Sequence, residues 1–263
     1  MLTSVDTKMN SLPSNKEWIQ WGEKDPLHGV ASWPDSQRDG ARPWTDDAFY
    51  NLGKSDWTDF RREWQSYGMD TRAIVEIGCG AGRITRWLAE DFQAVHALDV
   101  SDGMISYARE HVRSPNVTFH LVAGTKIPVP DASVTAVFST HVFQHFDNQQ
   151  IGREYLTECA SVLAPGGSLM IHVPLYEYPL LPRQHELLLA GLKAISHVKA
   201  TVKRVLGIPL MRGTRYNISA TLEFLLSIGF TDPQVRIFAV TSNQGFHPFL
   251  LARKMLNSTR STS

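Results

Sequence analysis

The sequence predicts an α/β protein with a mostly parallel sheet and helices on both faces, and three observations carry that expectation. Short apolar runs alternate with helically spaced ones, the first run ends in a glycine-rich turn, and the second ends in an acidic residue. Ala73 to Ile77 is a β-branched strand-like stretch, and Ile84, Trp87 and Leu88 then recur at helical spacing, so the glycines between them lie in a strand-to-helix turn. Ala94 to Leu98 reads as a buried strand closed by Asp99. Strands are expected near 73–78, 94–99, 117–122, 133–139 and 168–173, with helices near 83–90, 102–112 and 148–162. Thr221 to Ile228 returns as a helix, and Gln234 to Thr241 with Phe246 to Ala252 complete seven strands. Around this core, residues 71–255, the chain divides into a helical cap over 1–70, a helical insertion over about 174–216 and a disordered tail over 256–263. Residues 1–14 are also expected to fray, and no internal repeat is present.

The glycine turn is where chemistry enters. Gly78, Gly80 and Gly82 lack a Cβ, so they accept φ > 0 and let a ligand approach the main chain, while the helix start offers N–H groups to an anion. A dinucleotide fingerprint spaces its glycines G-x-G-x-x-G; here the pattern is G-x-G-x-G, with Glu76 two residues before the first. A carboxylate there suits an amino group better than a pyrophosphate. Asp99 follows the glycines by roughly 20 residues, the distance at which an acid accepts ribose hydroxyls in a βαβ unit.

With these residues the chain resembles the class I S-adenosylmethionine (SAM)-dependent methyltransferases, in their small-molecule branch. Val75 to Gly82 is similar to the family's first motif, Leu98-Asp99-Val100-Ser101 to its ribose-binding strand end, and Asp102-Gly103-Met104 to the following helix start. The likeness continues through Ile127 to Ser133, Phe138 to Phe146 and Leu163 to Gly167, covering about residues 72–174. It implies a Rossmann-like seven-stranded sheet with an antiparallel last strand, and SAM as cofactor. It also implies that Glu76, Gly78, Gly80 and Gly82 hold the methionine part, Asp99 and Val100 the ribose, and Met104 the adenine face, with Ser139 at the fourth strand end on the cofactor side. Two positions depart from the family. Ala123 stands where an acid often holds the adenine amino group, which leaves that task to backbone or to Gly124 and Thr125, and Thr135 replaces a common Asp as a packing change.

Composition bounds the rest. The 263 residues are 43% hydrophobic with 26 basic and 26 acidic side chains, enough for a sizeable core and without a net charge that argues for nucleic acid. No apolar run approaches the ~20 residues of a membrane span and Met1 to Asn15 has no signal-peptide apolar segment, so a cytoplasmic location is expected. Cys79 and Cys159 offer neither a disulfide framework nor zinc spacing, and no carboxylate set suggests an oxygen-rich cation site, so metal-independent chemistry is expected.

Ligands of open α/β sheets bind beyond the carboxyl ends of the strands, which places Ser139, Thr140, His141, Gln144 and His145 at the site. Methyl transfer is an in-line displacement that needs a base only for acceptors holding a proton, such as sugar or alcohol hydroxyls. His145 is the first choice for that base and His141 the second, against a purely bracing role for the loop histidine. His247 is a candidate to face the acceptor, while His172 reads as structural. The cap holds Trp18, Trp21, Trp33, Trp44, Trp57 and Trp64, mostly expected to pack; Trp21 and Tyr50, from the Trp18–Gly22 and Tyr50–Gly53 pieces, are the site-facing candidates by resemblance. Tyr176, Tyr178, Arg215 and Tyr216 flank the insertion and are placed near the acceptor. Within the insertion Lys193, Lys199, Lys203, Arg204 and Arg212 oppose the single acid Glu186 beside an apolar face, a pattern open to a lid, an anionic or lipid contact, or a solvated packed helix. The expected function is methyl transfer from SAM to a small-molecule hydroxyl, with a sugar or lipid-linked glycan among the acceptors and a homodimer as one assembly. Transfer to nitrogen or carbon, and SAM binding without turnover, are the alternatives. A nicotinamide oxidoreductase is disfavoured by the glycine spacing.

Overall fold

The computed structural model describes residues 12–176 and 213–256. Seven strands form one sheet: β1 (Ala73–Ile77), β2 (Ala94–Asp99), β3 (Val117–Leu121), β4 (Val134–Ser139), β5 (Leu163–His172), β8 (Phe230–Val240) and β9 (Gly245–Lys254). Their order is β3-β2-β1-β4-β5-β9-β8. The first five are parallel, and β9 runs antiparallel to both β5 and β8, so the reversed last strand is present as expected. Two short strands, β6 (Leu175–Tyr176) and β7 (Tyr216–Asn217), pair in parallel where the chain leaves and rejoins the core.

The central strands β1 and β4 are buried along nearly their whole length, as strands covered on both faces must be, whereas the edge strand β3 alternates between half-buried and exposed. Among the described residues there are seven α-helices. Three form the cap: α1 (Pro13–Lys24), α2 (Pro26–Val30) and α3 (Asp46–Tyr67). Four belong to the core: α4 (Thr85–Asp91), α5 (Asp102–His111), α6 (Gln149–Val162) and α7 (Ile218–Ser227). The helix starts follow local chemistry, with Thr45, Ser101, Asn148 and Asn217 each accepting a bond from a first-turn N–H.

The cap is fastened to the sheet mainly by α3. Phe60 and Trp64 are fully buried against Phe138 and Phe249, and the Trp64 indole donates to Ser168 Oγ at 2.9 Å. Trp57 donates to Asp91 Oδ2 at 2.7 Å and Trp44 to the Ala31 carbonyl at 2.7 Å, so these tryptophans are packing elements with satisfied N–H groups.

Three boundaries differ from expectation. The chain is helical from Pro13, and Ser14 is buried, so the fraying expected over 1–14 stops short of that residue; residues 1–11 lie outside the described part. Leu163 to Gly167, expected as a turn, is the first half of β5, because Leu163 pairs with Val134 and a register shift absorbs Gly166 in its left-handed conformation. The last hairpin begins at Phe230, four residues before Gln234, with a register shift between Thr231 and Gln234. The helical insertion with its basic residues and Tyr178 falls largely on residues 177–212, and most of the C-terminal tail on 257–263; both lie outside the described residues.

Candidate active site

β1 delivers Glu76 and Ile77 to the carboxyl edge of the sheet, and the chain then turns through Gly78, Gly80 and Gly82 with φ of 73°, 53° and 80°. Two of these glycines are required by contact as well as by angle. A Cβ on Gly78 would stand 2.3 Å from Val142 Cγ2, and one on Gly80 2.5 Å from Val30 Cγ2. The loop is therefore clamped between the segment after β4 and the cap helix α2.

The amides of that loop are already engaged. Gly78 and Cys79 donate to the Leu98 carbonyl at 2.8 and 2.9 Å, Gly82 to the Cys79 carbonyl at 3.0 Å, and Gly80 to Asp99 Oδ2 at 2.8 Å. The turn that precedes the helix start, where free N–H groups are expected, thus has these four amides paired. What it offers is close backbone approach and a firmly held Asp99, whose Oδ1 also accepts from Ser101 N at 2.9 Å.

Beyond the strand ends lies a cavity of about 320 Å³. Glu76 and Asp99, 3% and 9% exposed, both line it. Burial is the largest influence on each and raises both pKa values. Glu76 is pushed up to about 7 despite a 2.6 Å hydrogen bond from Thr85 Oγ1 and the nearby Arg83. Asp99 is raised despite its bonds from backbone amides. Among the described residues that line the cavity the cation is Arg83, which is buried in an ion pair with Asp56, itself also accepting from Ser242 Oγ. The cavity thus contains two desolvated acids whose charge a cationic or hydrogen-bond-donating ligand would stabilise.

The roof comes from the cap. In α1, Ser14 Oγ donates to Asp147 Oδ2 at 2.8 Å, Asn15 Nδ2 to the Ala123 carbonyl at 3.3 Å, and Trp18 stands edge-on to His145 with ring centroids 4.8 Å apart. Leu12, Ser14, Asn15 and Trp18 all line the cavity. The opposite wall is the loop after β4: Thr140, His141 and Val142, then the 3₁₀ turn Phe143–His145. Gln144 Nε2 lies 3.0 Å from His145 Nε2, and the chain rejoining the core braces the loop through Thr214 N to the Gln144 carbonyl at 2.7 Å. The Thr140 hydroxyl is buried on this wall with no hydrogen-bond partner.

The sequence-predicted residues divide accordingly. Glu76, Gly78, Gly80, Asp99, Val100, Met104, Gly124, His141, Gln144 and His145 line the cavity. Several others do not. Gly82 faces Val112 and Ala108, and Ser139 spends its hydroxyl on the Ile77 carbonyl at 3.0 Å. Thr125 stands off the wall while its neighbour Gly124 is on it. Trp21 and Tyr50 are buried in the packing between cap and core, Tyr50 donating to the Ala81 carbonyl at 2.9 Å. Tyr216 is buried with its hydroxyl on the Phe143 carbonyl at 3.0 Å, so it holds the loop after β4 from behind. Tyr176 is half-buried in β6, away from the wall.

Sequence reading missed Asn15, Trp18's contact with His145, and the Asp56–Arg83 pair at the wall. It also missed that His141, His172 and His247 meet, because positions 31 and 75 residues apart in the chain carry no spacing signal. His172, at the end of β5, has its ring centroid 4.5 Å from that of His141 and 5.3 Å from that of His247.

Comparison with known proteins agrees with this geometry. Residues 75–171 match the family model described as a methyltransferase domain. The chain is 33% identical over 99 residues to a demethylmenaquinone methyltransferase of Tropheryma whipplei (strain Twist), which covers 37% of this chain and 40% of that protein. It is 34% identical over 99 residues to a malonyl-acyl-carrier-protein O-methyltransferase of Hahella chejuensis, covering 37% and 34%. The matched segment spans about two fifths of the length of such curated relatives. Among solved structures, magnesium protoporphyrin IX methyltransferase from Synechocystis PCC 6803 with bound S-adenosylhomocysteine superposes with a TM-score of 0.58 at 15% identity, over 90% of this chain and 99% of that one. The (4+2)-cyclase SpnF also reaches 0.58, at 16% identity, over 92% and 96%. At such identities the likeness is one of fold, and the second case shows that the fold is compatible with different chemistry.

Proposed function

We propose that this chain, whose residues 75–171 form a class I SAM-dependent methyltransferase domain, binds SAM in the 320 Å³ cavity and transfers its methyl group to a hydroxyl of a small molecule, a sugar or secondary metabolite. The observation that carries the cofactor half is the pair Glu76 and Asp99, two buried acids facing one cavity with pKa values raised by desolvation.

The residues present suit SAM. Glu76 holds the α-ammonium, whose charge offsets the cost of burying its carboxylate. Asp99 accepts ribose hydroxyls with the lone pairs left after its bonds from Gly80 and Ser101. The glycine turn admits the methionine part against the main chain, and Met104, 1% exposed, supplies the apolar adenine face. Asn15, whose amide reaches the Ala123 carbonyl, serves the adenine end, where the chain lacks the family's common acid. The unpartnered Thr140 hydroxyl is a further donor toward the ligand.

When bound, SAM supplies an electrophilic methyl on a sulfonium. The chain's own contribution is alignment and exclusion of water, with α1 roofing the cavity and the loop after β4 forming its far wall. Of the two candidate bases, His145 is the one we assign to take the acceptor proton. It lines the cavity, is braced by Gln144 and Trp18, and lies on a turn fixed from behind by Thr214 and Tyr216. His141 is ill suited, because burial first, and the neighbouring His172 and Arg83 next, hold its pKa well below 6.5. Oxygen as the acceptor atom is supported by the need for a base and by the O-methyltransferase among the relatives.

Calorimetric titration tests the cofactor. SAM is expected to bind one per chain and Glu76→Gln to weaken it, while tighter binding of NAD overturns the reading. Release of S-adenosylhomocysteine with hydroxyl acceptors separates catalysis from binding alone, and methylation confined to amine or carbon acceptors transfers the activity to the other atom class.

A further inference from the structure

Among the described residues, His141, His172 and His247 each offer a ring nitrogen, and these atoms lie within 4.8 Å of one another. Three separate elements bring them there: the loop after β4, the end of β5 and the start of β9. His141 adopts φ of 58°, a left-handed conformation that costs a non-glycine residue energy and persists where surrounding structure imposes it. The antiparallel pairing of β5 with β9 sets His172 opposite Phe249, which leaves His247 one step further along the same edge.

We propose that these three histidines form a binding site for a divalent transition-metal ion of the zinc class, at the acceptor end of the cavity.

Three features support it. The donor set is three imidazoles, the ligand type favoured by zinc and its neighbours, and three protein ligands is the number at which zinc sites keep a position for an outside oxygen. The Nδ1 atom of His172, a residue 4% exposed, is buried with no hydrogen-bond partner, a cost that a bound cation would remove. Finally, a side chain orients the third ligand. The Asn243 carboxamide meets His247 Nε2 with Nδ2 at 3.1 Å and Oδ1 at 3.3 Å, and Gly245 N fixes that carboxamide through a 2.8 Å bond to Oδ1.

A metal–nitrogen distance of about 2.0–2.1 Å requires the three nitrogens to draw closer than 4.8 Å, a change within the reach of ring rotation. Asp56 acts on the charge of His247 without being one of the three ligands, and it is shared with Arg83 and Ser242. His141 belongs both to the cluster and to the cavity wall, so an ion there is placed to bind an oxygen of the acceptor. The ligand set stands apart from the methyl-transfer reading, since nothing in it requires SAM; the role toward an acceptor oxygen rests on that reading.

The test is made on the full chain, freed of metal by a chelator and without SAM. Zinc chloride is titrated calorimetrically, and cobalt chloride is followed by its visible absorption, which intensifies when cobalt exchanges water for three nitrogens. One ion per chain is expected. His247→Gln and His172→Gln should each weaken zinc binding by more than about a hundredfold, and Asn243→Ala by about tenfold. His120→Asn, in the separate His96–His120 pair on the β2–β3 side of the sheet, should change nothing. Because His172 is a core residue and its variant is at risk of misfolding, the half-buried His247 supplies the deciding variant, with circular dichroism as the check on folding. Zinc binding equal in the parent and in a folded His247→Gln, or absence of the intensified cobalt bands in the parent, overturns the proposal. Failure here leaves SAM titration of the same samples as a separate result.

Discussion

The backbone N–H of Gly80 donates to Asp99 Oδ2 at 2.8 Å, so the glycine turn after β1 and the acid ending β2 are one unit. The other carboxylate oxygen is held by Ser101 N at 2.9 Å, at the start of α5. The same acid that is proposed to receive the ribose therefore also shapes the loop that admits the rest of the cofactor.

Asp99→Ala should fail twice. It removes the ribose acceptor, and it orphans two buried N–H groups, each of which costs about 1–3 kcal/mol when left without a partner. Relief of the buried charge offsets part of this, so a loss near the lower end is expected in urea unfolding. SAM binding measured by calorimetry should fall below detection while the variant remains folded. Asp99→Asn, which keeps one acceptor oxygen, should recover most of the stability but little of the binding.

Glu76 gives the cavity a pH dependence of definite sign. Its carboxyl titrates near 4.5 when unperturbed and is raised to about 7 here, chiefly by burial. Between these values the folded, ligand-free chain holds a proton that the unfolded chain has lost, so its stability falls as pH rises from 4.5 through 7. At 1.36 kcal/mol per pKa unit the effect is about 3 kcal/mol at most. Binding of the SAM ammonium runs the other way, because it favours the ionised acid. Affinity should strengthen as pH rises toward 7, with uptake of SAM releasing a proton, and level off above it. Glu76→Gln should flatten both curves, and a wild-type affinity that does not change between pH 5 and pH 7 would refute the assignment.

His145 is proposed as base, and general-base catalysis contributes typically about 10²–10⁴-fold. His145→Ala should lower kcat on a hydroxyl acceptor within that range while leaving SAM affinity nearly unchanged. Trp18→Ala, which removes the edge-on ring at 4.8 Å, should produce a smaller loss through mispositioning. Full turnover by His145→Ala would refute the role.

The sheet and the Glu76–Asp99 side of the cavity were legible in the sequence because their signals are local. A β-branched run, three alternating glycines and an acid at the next strand end lie within one βαβ unit, and each residue acts close to its own place in the chain. The acceptor end was legible only in part. Tyr50 and Tyr216 were expected near the ligand, yet each buries its hydroxyl on a main-chain carbonyl, an outcome decided by packing that no pattern of aromatic residues encodes. His172 reads as structural and His247 as a candidate to face the acceptor, and only the antiparallel pairing of β5 with β9 shows that they share an edge with His141. Ser14 looked like part of a polar tail because polar composition reports on solvent, while its hydrogen-bond partner and that of Asn15 lie more than 100 residues away.

That last contact yields a prediction about the roof. Ser14 bonds to Asp147 and Asn15 to the Ala123 carbonyl, so α1 is latched across the cavity by two polar contacts from adjacent residues. These two bonds run to Asp147 and to the Ala123 carbonyl, so their loss should affect how long the cofactor stays more than how fast the methyl moves. A neutral hydrogen bond such as that of Asn15 contributes about 0.5–1.5 kcal/mol and one to a carboxylate such as that of Ser14 about 1.5–3 kcal/mol, which together span roughly 2–160-fold in affinity. Ser14→Ala and Asn15→Ala should each raise the KM for SAM by an amount in that range with kcat nearly constant, and stopped-flow measurement should locate the change in the dissociation rate. The double variant should show a loss close to the sum of the two in free energy if the latches act independently, and more than that if α1 opens as one piece. A fall in kcat with unchanged KM would instead place Asn15 in the chemistry and contradict its assignment to the adenine end.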